Sequence, residues 1–317
     1  MFTPTAILAD RWHPSAATVR RAALSALVMS VVIVVTGGAV RLTASGLGCT
    51  TWPRCTGESL TPTPEMGVHG VIEFTNRMLT YVLCAAIAWA TLAARCAKPW
   101  RRSLTRLGWA QFWLVMSNAV IGGITVLTGL NPYVVAVHMV AAMGLVWVAV
   151  LQWERTKEGD GAPELLVPRP LHQLSYLLVT VVGLLVAAGT LVTGAGHHPG
   201  SSSDVWRIPV DYDRLAQAHA DLAFLSVGLA LAAVFVLAAV KAPKAARARV
   251  RDLLVLLLLQ GVLGFVQYFT DAPELMVGLH MFGAALTWAA AVRIPLALRT
   301  RPTPDPAPVP AQLVQAT

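Results

Sequence analysis

Eight long apolar runs constrain the fold of this chain more than any other feature of its sequence. Only 13% of the 317 residues are charged, which is too few to cover a water-soluble domain of this size. Each run is long enough to cross the hydrocarbon core of a bilayer as a helix. The runs cover approximately residues 20–41, 67–94, 105–129, 132–153, 172–194, 213–240, 250–270 and 273–298. The sequence therefore predicts an all-α integral membrane protein with eight transmembrane helices, and the lipid bilayer is its first expected partner.

The lysine and arginine residues are concentrated on one side of the predicted spans. Of the 24, all but five lie in the N-terminus, the even-numbered loops or the C-terminal tail. Because basic loops are retained in the cytoplasm, we expect both termini to be cytoplasmic. The basic clusters lack interleaved aromatic residues for stacking on bases, so nucleic acid is not an expected partner.

The second half of the chain repeats the first. Four residue pairs are 142 positions apart: Gly122 and Gly264, Thr128 and Thr270, His138 and His280, and Met139 and Met281. An even number of spans per half gives both halves the same orientation, related by an axis along the membrane normal. We predict two pseudo-symmetric four-helix bundles, 20–153 and 172–298, joined by a cytoplasmic linker at 154–171. Residues 1–19 form a cytoplasmic N-terminus, and 299–317 form a Pro-rich tail predicted to be disordered.

Three histidines lie near the extracytoplasmic ends of their spans. An ionisable side chain within a membrane span is costly, so each is a functional candidate. His138, His219 and His280 lie at comparable depth on spans four, six and eight. Paired imidazoles on facing helices of an apolar bundle are suited to haem iron. His219 and His280 would make a complete pair of axial ligands, and the alternative is a histidine that only forms hydrogen bonds between helices.

Span two carries a polar face that would oppose span four. His69, Glu73 and Asn76 are spaced four and three residues apart, so they share one helix face, and Arg77 follows directly. A buried glutamate can accept or donate a proton near neutral pH, which makes Glu73 a catalytic candidate. The alternative is a structural ion pair between Glu73 and either Arg77 or Arg41.

Two cysteines flank a short polar loop after the first span. Cys49 and Cys55 enclose the segment CTTWPRC, which the predicted orientation places outside the cytoplasm, where disulfides persist. They could close a small ring there, and two free thiols are the alternative.

These motifs resemble those of the haem A synthase family. TGGAVRLTASGLGCTTWPRC (Thr36–Cys55) is similar to its first-loop signature, and IEFTNR (Ile72–Arg77) is similar to its span-two motif. AVHM and GLHM are similar to its ligand positions in spans four and eight, and Cys49 and Cys55 match its extracytoplasmic cysteine pair. The resemblance extends over roughly residues 20–298. It implies oxidation of haem O to haem A, in which a ring methyl is hydroxylated twice and the diol loses water to leave a formyl group.

The resemblance also implies roles for individual residues. His219 and His280 would be the axial ligands of a resident haem B, the expected cofactor. His138 would ligate the iron of the substrate, haem O. Glu73 matches the family's span-two glutamate, which would accept a proton or stabilise positive charge at the oxidised methyl.

One position departs from the family pattern. Better-known members have Glu-x-x-His in span two, whereas this chain has Asn76 in place of that histidine. Asparagine is a poor haem ligand. Either His69, two turns outward on the same face, supplies the second axial bond of the substrate iron, or His138 binds that iron alone. Asn76 and Arg77 are predicted to belong to the substrate site in both cases.

The family further implies a location in the cell membrane. Haem O synthase, an electron-transfer protein and further copies of this chain are the candidate protein partners. A non-catalytic di-haem electron carrier resembling a cytochrome b is the first alternative, but it would have histidines at both depths of the membrane. A transporter with repeat symmetry is the second alternative, and it would have helices that are broken at mid-span.

Overall fold

The computed structural model describes residues 4–302, and the predicted disorder of the tail from residue 303 onward lies outside these residues. A short helix, α1 (Pro4–Arg11), opens the described part of the chain, and a 3₁₀ turn (Pro64–Met66) leads into the second span. Eight helices in the described part are long and apolar enough to cross a membrane. They are α2 (Ala16–Leu42), α3 (Gly67–Cys96), α4 (Arg102–Leu127), α5 (Pro132–Arg155), α6 (Arg169–Ala195), α7 (Tyr212–Ala239), α8 (Lys244–Phe269) and α9 (Glu274–Ala297). The predicted number and order of spans are confirmed, and the chain is a multi-pass membrane protein.

The helices begin where local sequence provides a cap. Side-chain oxygens of Ser15, Asn131 and Asp211 accept hydrogen bonds from N–H groups in the first turns of α2, α5 and α7. At their basic ends several helices extend beyond the predicted spans, and α8 starts at Lys244 rather than at residue 250. Hydropathy marks only the lipid-embedded part of a helix, whereas lysine and arginine continue a helix readily.

The two halves of the chain are built alike. Helices α2 and α6 have 27 residues each, α4 and α8 have 26, and α5 and α9 have 24. Within each half consecutive helices contact one another, and the first also contacts the fourth. The halves meet where α5 contacts α9, α2 contacts α9 and α6 contacts α5. Under a two-fold pseudo-symmetry axis α2 corresponds to α6 and α5 to α9, so the contact of α2 with α9 is equivalent to the contact of α6 with α5. The prediction of two pseudo-symmetric four-helix bundles is therefore confirmed.

The turns between α4 and α5 and between α8 and α9 repeat the same backbone conformation. Each has two consecutive residues in the left-handed region, Gly129–Leu130 with φ of 61° and 59°, and Asp271–Ala272 with φ of 56° and 53°. In both turns the second of these residues donates its N–H to the carbonyl five residues earlier, at 2.7 and 2.9 Å. The repeat seen in the sequence therefore extends to the backbone of these turns.

Two loops cover one end of the bundle, which we call the histidine end. The first loop (43–66) follows α2, and the fifth loop (196–211) follows α6. Ser45 and Ser201 form an isolated antiparallel bridge, and the Gly46 N–H donates to the Gly200 carbonyl at 2.7 Å. A Cβ on Gly46 would lie 2.9 Å from that oxygen, and Gly200 has a φ of 96°, so this close approach requires glycine. The loops thus form one cap across both halves.

The opposite end, the basic end, is joined by ion pairs. The carboxylate of Glu154, whose residue is 4% exposed, lies 2.8 Å from Arg293, 2.9 Å from Arg249 and 3.2 Å from Lys157. It therefore ties α5 of the first half to α8 and α9 of the second. The first residues of the tail predicted to be disordered instead form a short strand, β2 (Arg299–Thr300), because they pair with β1 (Glu164–Leu165) of the linker.

We expect Glu154→Ala to destabilise the protein by about 3 kcal/mol. The substitution leaves three cations without their shared buried carboxylate, and the loss is at the low end for a broken buried pair because the cations are partly exposed. Equilibrium unfolding in a denaturing detergent measures the change. Glu164→Ala, which removes an exposed carboxylate at the same end, serves as the control. Equal stability of the two variants would show that Glu154 does not join the halves.

Candidate functional site

The three span histidines share one setting, in which each imidazole lies against a glycine of the preceding helix. A Cβ on the glycine would lie 2.9 Å from Cε1 of the histidine at Gly122–His138, 3.0 Å at Gly189–His219 and 3.5 Å at Gly264–His280. Because glycine lacks a side chain, the ring can approach the helix backbone closely. The sequence repeat identified Gly122 and Gly264. It did not identify Gly189, because the repeat pairs lie in or directly after α4 and α8 and in α5 and α9, and none lies in α6.

His219 and His280 face each other in the C-terminal half. Their ring centroids are 6.2 Å apart, with 66° between the ring planes. Two imidazoles that bind one metal ion from opposite sides, each through a nitrogen about 2 Å away, have their centroids about 6 Å apart. Nδ1 of His219 lies 3.0 Å from the Leu185 carbonyl, so it carries the proton and leaves Nε2 free as a ligand. The pair therefore fits the axial positions of a haem iron.

Polar atoms on α3, α4 and α5 of the N-terminal half are buried without a hydrogen-bond partner in the described part of the chain. Nδ1 of His138 is one of them, and the His138 ring lies near the backbone of Asn118 on α4. The side-chain oxygens of Asn76 and Asn118 are also buried without a partner in the described part of the chain. Buried polar atoms in native proteins usually have partners. A bound polar ligand would complete this arrangement.

Glu73 is buried, and both of its carboxylate oxygens are hydrogen-bonded. Oε1 accepts from Arg77 at 2.5 Å, and Oε2 accepts from the Cys49 N–H at 2.6 Å. Arg77 also donates to the carbonyls of Thr51 and Arg54, at 3.1 and 3.2 Å. The ion pair with Arg77, the structural alternative for Glu73, is therefore present and holds the first loop on α3. A carboxylate has about four acceptor positions, so this anchoring leaves capacity for a second role.

The first loop is closed by a disulfide between Cys49 and Cys55, as one of the two alternatives for these cysteines predicted. Both are fully buried. A Cβ on Gly48 would collide with the backbone of His69, and the Gly48 carbonyl oxygen lies 3.3 Å from the position of a Cβ on Gly70. The disulfide-bonded ring is thus packed directly on the first turn of α3, one turn from Glu73.

His69 lies at the edge of this site. Its side chain is exposed, and Nδ1 is 3.0 Å from the hydroxyl of the buried Ser45. It precedes Asn76 by seven residues, which corresponds to about 10 Å along the helix. The structure therefore places His69 in the cap, well outward of Asn76.

Two histidines of the fifth loop have contacts that sequence reasoning did not find. Nε2 of His198 lies 2.7 Å from the Ala272 carbonyl in the turn between α8 and α9, and the His197 ring packs edge-on against Tyr212 with centroids 5.2 Å apart. These contacts join the cap to the C-terminal bundle. The local sequence does not distinguish a histidine with such a contact from an exposed one, because Ala272, the partner of His198, is 74 residues away in the chain.

Comparison with known proteins agrees with this geometry. The family model COX15-CtaA, described as cytochrome oxidase assembly protein, matches residues 20–292. "Heme A synthase" of Staphylococcus haemolyticus (strain JCSC1435) is 24% identical over 277 residues, 83% of this chain and 90% of that protein. The Staphylococcus epidermidis (strain ATCC 35984) protein of the same name is 26% identical over 205 residues, 62% of this chain and 65% of that relative's length. "Heme A synthase" of Bacillus pumilus (strain SAFR-032) is 31% identical over 176 residues, 51% of this chain and 53% of that protein.

The matched range contains the disulfide-bonded first loop, the polar face of α3 and the three histidines that lie against glycines. The relatives differ from this chain at most positions, yet the family model extends over nearly all of the membrane region. This chain belongs to the COX15-CtaA family, the haem A synthase family that its first-loop and histidine motifs resemble.

Proposed function

We propose that this protein is a haem A synthase, which oxidises a methyl group of haem O to a formyl group to give haem A for terminal oxidases. The observation that carries the proposal is the difference between the two halves of one repeat. The C-terminal half has two facing imidazoles, His219 and His280, whereas the N-terminal half has one span histidine at the matching depth, His138, and a buried carboxylate, Glu73, on α3. One site is thus suited to holding a cofactor and the other to a substrate.

In the C-terminal half, His219 and His280 would hold haem B. This group supplies one-electron transfer when it is bound. The Leu185 carbonyl orients the His219 ring and fixes its tautomer, which leaves Nε2 as the nitrogen that would bind the iron. On the inward side of the histidine pair, Leu222 and Ala223 of α7 and Ala285 of α9 pack in the apolar core.

In the N-terminal half, His138 would bind the iron of haem O. Glu73 would accept a proton, or stabilise the positive charge that develops at the methyl carbon during its oxidation. Arg77 holds the Glu73 carboxylate in position. Each of two successive hydroxylations would add the oxygen of one water and release two protons and two electrons, the electrons passing to the electron-transfer partner, and the diol would then lose one water to leave the formyl group. His69 would be a second ligand of the substrate iron, or His138 would be its only protein ligand. The position of His69, about 10 Å outward of Asn76 along α3, supports the second arrangement.

The proposal also covers location and partners. The distribution of basic residues and the disulfide in the first loop support a cell-membrane protein with cytoplasmic termini and an extracytoplasmic histidine end. A haem O synthase would supply the substrate, and an electron-transfer protein would regenerate the enzyme. A non-catalytic electron carrier is not favoured, because His138, His219 and His280 lie at the same end of the bundle.

The pigments bound to the protein test the proposed function. The protein is purified in detergent from cells that make haem O, and extracted pigments are identified by chromatography and mass. We expect haem B together with haem O or haem A. His280→Ala should lose haem B, whereas His138→Ala should keep haem B and form no haem A. A wild-type protein without any haem would contradict the proposal.

A repeat-related pair of glycines gives a test of the histidine setting. Gly122→Ala places a Cβ 2.9 Å from His138, so the ring must turn away, whereas Gly264→Ala makes only an ordinary contact of 3.5 Å with His280. We expect Gly122→Ala to reduce haem A formation about tenfold, because a small displacement of a positioned group is costly. Gly264→Ala should keep wild-type haem content and product. Equal effects of the two substitutions would contradict the geometric argument.

A further inference from the structure

Two arginines at the histidine end lack a carboxylate partner. Arg41, in the last turn of α2, donates to the Thr193 carbonyl of α6 at 2.9 Å, and Arg207 of the fifth loop donates to the same oxygen at 3.2 Å. Neither forms an ion pair with a carboxylate within residues 4–302, and Nε of Arg41 is buried without a hydrogen-bond partner.

One carbonyl oxygen is a weak counterpart for two guanidinium groups. The carbonyl lies at the C-terminal end of α6, where the helix dipole provides about half a negative charge. Two like charges held together away from water are unfavourable unless an anion is present. Each guanidinium has about five N–H donors, and each of these two uses one on Thr193. The pair therefore has the charge and the donors to bind an anion with several oxygen atoms.

The arginine pair lies closer to the cap than the histidine pair does, as positions along α6 show. Thr193 follows Gly189, the glycine against which His219 packs, by four residues. Four residues are about one helical turn, or about 6 Å along the axis. The guanidinium groups are therefore about one turn closer to the cap than the imidazole of His219.

Positions along α2 also place Arg41 closer to the cap than the histidine pair. A Cβ on Gly38 would lie 2.8 Å from Met281, the residue that follows His280, so α2 and α9 are in close contact at this level. Arg41 is three residues further toward the cap. Above it lies Gly200 of the fifth loop, whose Cβ position is 3.4 Å from Cγ of Arg41. The arginine is thus enclosed between the histidine pair and the cap.

We propose that Arg41 and Arg207 form a carboxylate-binding site that holds the propionate groups of the porphyrin ligated by His219 and His280. The inference rests on the proposed function, because it assumes a porphyrin between these histidines. Both propionates project from one edge of the macrocycle, and a carboxylate matches the fork of a guanidinium in two parallel hydrogen bonds. A bound propionate would give the buried Nε of Arg41 its missing acceptor.

The test uses the full chain, produced in cells that cannot make haem and purified in detergent. It is titrated with haem B and with haem B dimethyl ester, in which both carboxylates are neutral. We expect wild type to bind haem B ten- to a hundredfold more tightly than the ester, as for the loss of charge-assisted hydrogen bonds. In the double variant Arg41→Gln, Arg207→Gln, affinity for haem B should fall to that for the ester, and affinity for the ester should be unchanged.

Arg54→Gln is the matched control, because Arg54 is an exposed arginine of the same cap. It should keep the wild-type preference for haem B. At saturating haem B the absorption spectrum of the double variant should keep the low-spin bis-histidine component of the C-terminal site, which shows an intact fold and histidine pair.

Two results would overturn the inference alone. The first is equal affinity of wild type for haem B and its ester. The second is a double variant that keeps the preference while losing co-purified phospholipid, which would assign the arginines to a lipid phosphate. A wild-type protein that binds neither porphyrin would instead contradict the proposed function.

Discussion

Glu73→Gln is expected to reduce haem A formation by about a hundredfold or more, while haem B stays bound in the C-terminal half. Glutamine keeps the size of the side chain and an oxygen that can accept from the Cys49 N–H, but it can neither take a proton nor carry negative charge. General-base catalysis typically contributes a factor of about 10² to 10⁴. The haem A and haem O extracted from equal amounts of purified protein measure the effect.

Arg77→Gln separates this chemical role from the anchoring role of Glu73. It removes the cation of the Glu73–Arg77 ion pair and leaves the carboxylate in place. The hydrogen bonds from Arg77 to the carbonyls of Thr51 and Arg54 are also lost. Both variants should lower stability by about 1–3 kcal/mol, because both remove the Glu73–Arg77 ion pair and weaken the charge-assisted hydrogen bonds between the first loop and α3. Only Glu73→Gln should lose nearly all product. If both lose it equally, Glu73 acts only by anchoring the loop.

The parts of the fold that the sequence predicts well are those that depend on the bilayer. A transmembrane helix must present apolar side chains over about 20 residues, and this requirement is visible without any knowledge of tertiary contacts. The sequence repeat also predicts that the two halves are equivalent, because His138 and His280 and their neighbouring glycines occur at the same offset. The candidate ligands could therefore be selected from the sequence alone.

The contacts of the cap could not be predicted in this way. The bridge between Ser45 and Ser201 joins residues that are far apart in the chain and lie in loops without periodicity. The choice of Arg77 rather than Arg41 as the partner of Glu73 depends on where Arg41 is held, which is at Thr193 of the other half. Tertiary packing decides which partner a side chain has. The chemistry of single residues only limits the possible partners to a few.

The position of Asn76 leads to the second prediction of large effect, which concerns the N-terminal half. At an offset of 143 residues Asn76 aligns with His219, and His69 aligns with Tyr212, the first residue of α7. His69 is thus about 10 Å too far outward to take the place that His219 has in the other half. We therefore expect the iron held by His138 to have one protein ligand and one open position beside Asn76.

With haem B as a probe in both sites, wild type should contain one low-spin, six-coordinate iron and one high-spin iron that binds carbon monoxide. Asn76→His should convert the second into a low-spin iron and abolish carbon monoxide binding, because it recreates the pair seen at His219 and His280. His69→Ala should leave the spectra unchanged. The converse variant, His219→Asn, should open the C-terminal site to carbon monoxide.

The opposite pattern would identify His69 as the ligand. Wild type would then bind no carbon monoxide, and His69→Ala would create a high-spin iron while Asn76→His would change little. The distinction bears directly on function, because an iron with a free position can bind a small molecule whereas one with two imidazoles is restricted to electron transfer. An open position beside Asn76, on the same helix face as Glu73, would place the oxidation of the substrate in the N-terminal half and leave electron transfer to the C-terminal half.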